Sequence, residues 1–112
     1  MKKLEIIIKP ERLEDLKQIL NENNASGLMI TNIMGYGKQK GVVNIYRGTE
    51  YHANLLPKVK VETVVSADIA EIIIDKVLKE INTGNYGDGK IFIYDVEDVV
   101  RIRTGERGND AL

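Results

Sequence analysis

Apolar and polar positions along the chain divide it into a short succession of elements. Leu4, Ile6, Ile7 and Ile8 form a nearly continuous β-branched run, which predicts a strand covered on both faces for part of its length. Lys9 ends it. Pro10 suits the first turn of a helix, where a missing N–H would be unpaired anyway, and Glu11, Glu14 and Asp15 follow at the positive end of the helix dipole. Leu13, Leu16, Ile19 and Leu20 then mark one helical face, and Asn21 to Asn24 with Gly27 predict the exit, because both residue types tolerate the left-handed conformation. Leu28 to Met34 is the second predicted strand. From Lys58 to Val65 the pattern alternates, with Val59, Val61, Thr63 and Val65 on one face and Lys58, Lys60, Glu62 and Val64 on the other. Asp68 and Glu71 have capping-box spacing ahead of an apolar stripe at Ile69, Ile72, Ile73 and Val77, and Gly84 is placed to close this second helix. Ile91 to Val96 is a strand, Val99 to Arg103 a short extended segment, and the remainder a polar tail.

The resulting order is strand, helix, strand, strand, helix, strand. Two interleaved βαβ halves of this kind make the ferredoxin-like α+β fold, an antiparallel sheet with both helices on one face. At 112 residues the chain is the size of one domain, spanning 1–112. The uncovered face is expected to be rich in Val and Ile and so to favour self-association.

One stretch does not fit the pattern. Gly35 to Pro57, between the second and third predicted strands, shows no sustained period. Connections between adjacent strands usually take about 2 to 5 residues, and longer structureless loops are usually functional or disordered. This stretch is therefore expected to be the working part, with Lys38, Gln39, Lys40, Arg47, Glu50, Tyr51 and His52 as its polar supply.

Composition narrows the chemistry. The two signs of charge nearly balance, at a net −1, so nothing electrostatic invites nucleic acid. There is no cysteine, which excludes a disulfide framework, a thiolate zinc site and thiol nucleophiles, and fits a reducing compartment. The start of the chain, broken by Glu5 and Lys9, is too short and polar for a signal peptide or membrane span, so membrane contact is expected only through a protein partner. His52 is the single histidine, and Asp95, Glu97 and Asp98 cluster without the paired environment of a general acid and base.

Gly84 to Lys90 satisfies the spacing G-x-x-x-x-G-K, but here the loop follows a helix, opens a strand, and is succeeded by Ile91 where a phosphate loop needs Ser or Thr. Two readings remain open: glycines 84, 87 and 89 with Lys90 as a phosphate cradle, or a turn whose glycines serve geometry only. Arg101 and Arg103 have strand spacing on a common side, a fork suited to phosphate oxygens or a cationic edge that discourages strand addition. Tyr51, with Glu50 before it and Arg47 four residues back, is either a hydroxyl presented to a modifying enzyme or an ordinary surface tyrosine.

Taken together, GYGKQKG with YRGTEY, then TGNYGDGKIF, then RIRTGERG resemble the PII nitrogen-regulatory signal proteins, in order and at matching separations over essentially the whole chain. The resemblance implies a cytoplasmic homotrimer of ferredoxin-like subunits that binds ATP or ADP between subunits and senses 2-oxoglutarate beside it. It places Gly87, Asp88, Gly89 and Lys90 around the phosphates, Arg101 and Arg103 across the cleft, and Ile7, Glu62 and Val64 along the base. Just before and within the long loop (37–55) it assigns Gly35, Gly37 and Lys38 to the nucleotide, and Gln39 to a magnesium ion shared by ATP and 2-oxoglutarate. Lys40, Gly41, Lys58 and Gly87 would complete the keto-acid site with Gln39. Tyr51 matches a tyrosine modified by a nucleotidylyltransferase, and Arg47 an arginine inserted into an ammonium channel. Two departures stand out: Lys38 replaces the usual arginine, keeping charge but losing a bidentate fork, and Met29 stands where a threonine commonly holds the nucleoside. The implied protein is a sensor and not an enzyme; the alternatives are a slow nucleotide hydrolase on the same site and a nitrogenase-linked branch of the family.

Overall fold

The computed structural model describes residues 1–25, 27–36, 42–46, 49–53 and 55–112, with backbone only for 42–46 and 49–53. Strands β1 (Lys2–Ile8), β2 (Met29–Tyr36), β3 (Val42–Tyr46), β4 (Thr49–Ala53), β5 (Leu55–Val65) and β6 (Lys90–Asp95) are joined with helices α1 (Leu13–Glu22) and α2 (Ala67–Glu80). A short 3-10 turn, Pro10–Arg12, precedes α1. Four strands form one antiparallel sheet in the order β2-β5-β1-β6. β1 and β2 thus run parallel with β5 inserted between them, the split βαβ arrangement of the ferredoxin-like fold.

The alternation read from β1 and β5 decides which side the helices cover. Leu4, Ile6 and Ile8 lie opposite Thr63, Val61 and Val59 in register, and all six are buried against Leu16, Ile19 and Leu20 of α1 and Ala70, Ile73 and Val77 of α2. Thr63 is tolerated there because its hydroxyl donates to the main-chain oxygen of Gly27 at 2.9 Å. At the exit of α1, Asn24 has φ +60°, the left-handed conformation expected for this Asn-rich segment.

Three local expectations are corrected. The cap of α2 is Ser66, whose hydroxyl accepts from the Ile69 N–H at 3.4 Å; Asp68 lies inside the first turn, because the chain turns helical two residues earlier than the capping-box spacing suggests. The helix-free face is not a Val and Ile surface. An ion row crosses its centre, with Lys3 Nζ 2.8 Å and Lys60 Nζ 3.4 Å from the Glu62 carboxylate and Lys3 5.2 Å above the Tyr94 ring; Ile7, Val64, Met29 and Phe92 surround it. The apolar residues of β1 and β5 were mostly drawn to the helix side.

Within Gly35 to Pro57 the described residues are paired, where an unpatterned connection was expected. β2 continues to Tyr36 and β5 begins at Leu55, paired as Gly35↔Leu56 and Tyr36↔Leu55, while β3 and β4 form a separate two-stranded sheet from Val42↔Ala53 to Tyr46↔Thr49. Backbone pairing carries structure here without a matching hydrophobic period. Among the described residues no helix is long and apolar enough to cross a membrane.

Candidate functional site

The site begins with the glycine-rich loop between α2 and β6. Asp88 holds it together: its carboxylate accepts from the Thr83 N–H (2.8 Å), the Thr83 hydroxyl (2.5 Å) and the Gly84 N–H (3.0 Å). These hydrogen bonds, the Thr83 hydroxyl first, hold the Asp88 carboxyl below its usual range. Gly84, Gly87 and Gly89 have φ of +79°, +94° and +108°, which L side chains rarely adopt. At Gly89 the need for glycine is also steric, since a Cβ there would stand 1.7 Å from the main-chain oxygen of Ile7. The loop is thereby laid directly on β1, and Lys90 enters β6 opposite Ile7.

A second anchor comes from β5. Lys58 is only 7% exposed, and its ammonium donates to the main-chain oxygen of Gly87 at 2.8 Å. Its stem passes Gly35 so closely that a Cβ on Gly35 would lie 3.0 Å from the Lys58 Cγ. Burial, and secondarily the charge of Lys9, push the Lys58 pKa down. Gly35, Lys58, Gly87, Gly89, Ile7 and Lys90 are therefore joined through direct contacts or register across β2, β5, the loop, β1 and β6.

Ile7, Glu62 and Val64 share the helix-free face of the sheet, as their positions opposite Lys60, Glu5 and Lys3 require. Glu62 is held ionised by the hydrogen bond from Lys3, with support from Lys60. A groove of about 390 Å³ opens on the helix side between β1, α2 and β6, lined by Ile6, Ile8, Ile74, Leu78, Ile91 and Ile93 among others. It meets the candidate set at Ile7, Asp88, Gly89 and Lys90 only; Lys58, Glu62 and Val64 do not line it.

Arg101 and Arg103 do not form the expected extended pair. Val96 donates to the Met1 oxygen beyond the far end of β6 from Lys90, and residues 102–104 form a turn that the Gly105 N–H closes on the Arg101 oxygen at 2.7 Å. Glycines at 105 and 108, with φ of +73° and +65°, favour this turning path over a strand. Arg101 is paired with Glu106 instead, Nη1 to Oε1 at 2.8 Å.

The family model described as Nitrogen regulatory protein P-II matches residues 1–106. The chain belongs to the P-II family. It is 47% identical over 112 residues, all of both chains, to the Nitrogen regulatory protein P-II of Pasteurella multocida, and equally to that of Rhodospirillum rubrum. Identity to Nitrogen regulatory protein P-II 1 of Escherichia coli is 46% over the same full length.

For this P-II family member the predicted loop residues Gly37, Lys38, Gln39, Lys40, Gly41 and Arg47 lie outside the described residues. Tyr51 is in β4, paired with Asn44, and its side chain is likewise outside them. Met29 opens β2 opposite Glu62, and its side chain is exposed. Sequence reasoning missed Thr83 and Glu106. Each acts on a partner five residues away in a turn, a spacing that neither helical nor strand periodicity brings to notice.

Proposed function

We propose that the chain is a nitrogen-regulatory signal protein that senses adenine nucleotide and 2-oxoglutarate and reports their balance through the 37–55 stretch. The observation that carries this reading is the Lys58–Gly87 tie, which joins the root of that stretch to the glycine-rich loop. The glycine-rich loop has the donor chemistry for phosphates: backbone in left-handed conformations at Gly87 and Gly89, and the Lys90 charge at its end. Ile7, Glu62 and Val64 supply a mixed surface for the base and ribose. Arg101 and Arg103 would approach from a neighbouring subunit of a homotrimer, since within one chain no described hydrogen bond or ion pair joins them to the loop.

Magnesium fits this site only as a companion of the phosphates. Among the described residues no cluster of three or more His, Asp or Glu residues is arranged to hold a metal, and magnesium commonly takes one or two protein ligands beside phosphate oxygens. Gln39 would give that ligand. The ion would supply charge neutralisation that lets a keto acid sit beside ATP, while Lys58 would pair with the acid's carboxylate and Gly87 with the backbone amides from Gly37 to Gly41 would complete its site.

The protein acts as a cytoplasmic sensor and not a catalyst, with targets such as an ammonium channel or nitrogen-assimilation enzymes, and with Tyr51 open to a nucleotidylyltransferase. Because the effector contacts the root of the stretch, it binds two arrangements of that stretch with different affinity, the condition for a population shift. Calorimetry tests this: 2-oxoglutarate is expected to bind the Mg-ATP form at least tenfold more tightly than the nucleotide-free protein, and equal binding would refute the coupling. Phosphate release at ordinary enzymatic rates, abolished by Lys90→Ala, would refute the non-catalytic reading.

A further inference from the structure

Both terminal nitrogens of Arg101 are occupied within its own chain. Nη1 donates to Glu106 Oε1 at 2.8 Å, and Nη2 donates to the main-chain oxygen of Leu112 at 3.3 Å. A guanidinium fork is built to grip two oxygens side by side, and a carboxylate oxygen with a main-chain oxygen near it imitates the pair a phosphate presents. The segment is shaped to deliver them. Arg101 N–H donates to the Glu106 oxygen (2.9 Å), Gly105 N–H to the Arg101 oxygen (2.7 Å) and Gly108 N–H to the Val99 oxygen (3.0 Å). Asp98 braces the base by accepting from the N–H groups of Val99 and Gly108 and from Arg107 Nε, at 2.8, 3.1 and 2.8 Å. Glu106 therefore reaches Arg101 by backbone design and not by the chance wandering of a tail.

We propose that Glu106 and the Leu112 oxygen form an internal substitute for phosphate, so that the 99–112 segment competes with nucleotide for Arg101. This rests on the nucleotide reading given above. The occupant of the Arg101 fork then differs between states: its own chain without nucleotide, a phosphate with it. The contest is mild, because the pair is partly open to solvent, with side-chain exposures of 34% and 44%. An ion pair of that exposure shifts an equilibrium by roughly 1.5- to 5-fold. Glu106 thus sets the nucleotide level at which Arg101 is captured without abolishing capture.

The test is ATP titration of the full chain as wild type, Glu106→Gln, Arg101→Ala and the double variant. Glu106→Gln is expected to tighten ATP binding about 1.5- to 5-fold, and the gain is expected to vanish when Arg101 is alanine. A gain that persists undiminished in the Arg101→Ala background would reveal only the removal of a nearby negative charge and would overturn the proposal. Equal ATP affinity in wild type and Glu106→Gln would overturn it alone, leaving the nucleotide reading intact. Failure of both to bind ATP would overturn the nucleotide reading and this inference together.

Discussion

Lys58 and Gly87 are joined by a hydrogen bond of 2.8 Å from a side-chain ammonium to a main-chain oxygen, across 29 positions of sequence. The bond links the middle of the sheet to a loop that precedes its edge strand. Its donor is nearly buried and its pKa is lowered, so the ammonium is poorly hydrated and relies on the few oxygens that face it.

Lys58→Met retains the stem beside Gly35 and removes the charge. The Gly87 oxygen then loses its donor, and unfolding stability is expected to fall by about 1.5 kcal/mol, the low end of the range for a hydrogen bond to a charged group, because burying the ammonium already costs part of what the bond contributes. Chemical denaturation measures this. Under the proposed function the same variant loses its response to 2-oxoglutarate while still binding ATP, a separation that calorimetry resolves.

Gly89→Ala is expected to be far more damaging than its size suggests. The added Cβ meets the Ile7 oxygen at 1.7 Å and the residue sits at φ +108°, so either the loop or β1 must move. Strained backbone of this kind costs on the order of 1–3 kcal/mol before the clash is counted. Gly84→Ala, with nothing within 4 Å of its Cβ and φ +79°, carries only the backbone term. A melting temperature for Gly89→Ala no lower than that for Gly84→Ala would contradict this account of the close approach.

Acid is expected to loosen the glycine-rich loop first at Asp88. Its folded pKa is depressed by the bonds from Thr83 and Gly84, so the unfolded chain binds the proton more readily; the contribution is fully present above the unfolded value and is lost as pH falls through the folded one. Amide exchange at Thr83 and Gly84, corrected for intrinsic rates, is therefore expected to quicken on acidification below the ordinary aspartate range. Thr83→Val removes the largest cause of the shift and moves that onset to higher pH.

Ser66→Ala is expected to destabilise α2 by about 0.5–1 kcal/mol, toward the low end for a cap because the accepted bond is long at 3.4 Å. Asp68→Ala removes a first-turn carboxylate and is expected to cost less. Urea midpoints for the two variants decide between the cap found in the structure and the one suggested by spacing.

The frame of the fold was legible because its buried faces obey simple periods: Leu13, Leu16, Ile19 and Leu20 on a helix, Val59, Val61, Thr63 and Val65 on a strand. What escaped were features with no period. β3 and β4 are held by main-chain pairing, the cap moved from Asp68 to Ser66 because both have suitable oxygens, and Arg101 turned toward Glu106 because glycines at 105 and 108 permit a path that strand spacing does not anticipate. For the candidate site, Lys58, Gly87, Gly89 and Lys90 were legible as candidates by residue type and by resemblance. That Lys58 is tied to Gly87 was not, since nothing local to either residue encodes a contact 29 positions apart.

The β2–β5 ladder continues without a break from Met29↔Glu62 to Tyr36↔Leu55, past the register position of Lys58 opposite Ile33. A ribbon of paired strands turns as one body, rising about 3.3 Å with each residue. Lys58 stands three pairs, about 10 Å, from Tyr36 along this ladder, so the residue tied to the glycine-rich loop and the last described residue before position 37 are held by one ribbon.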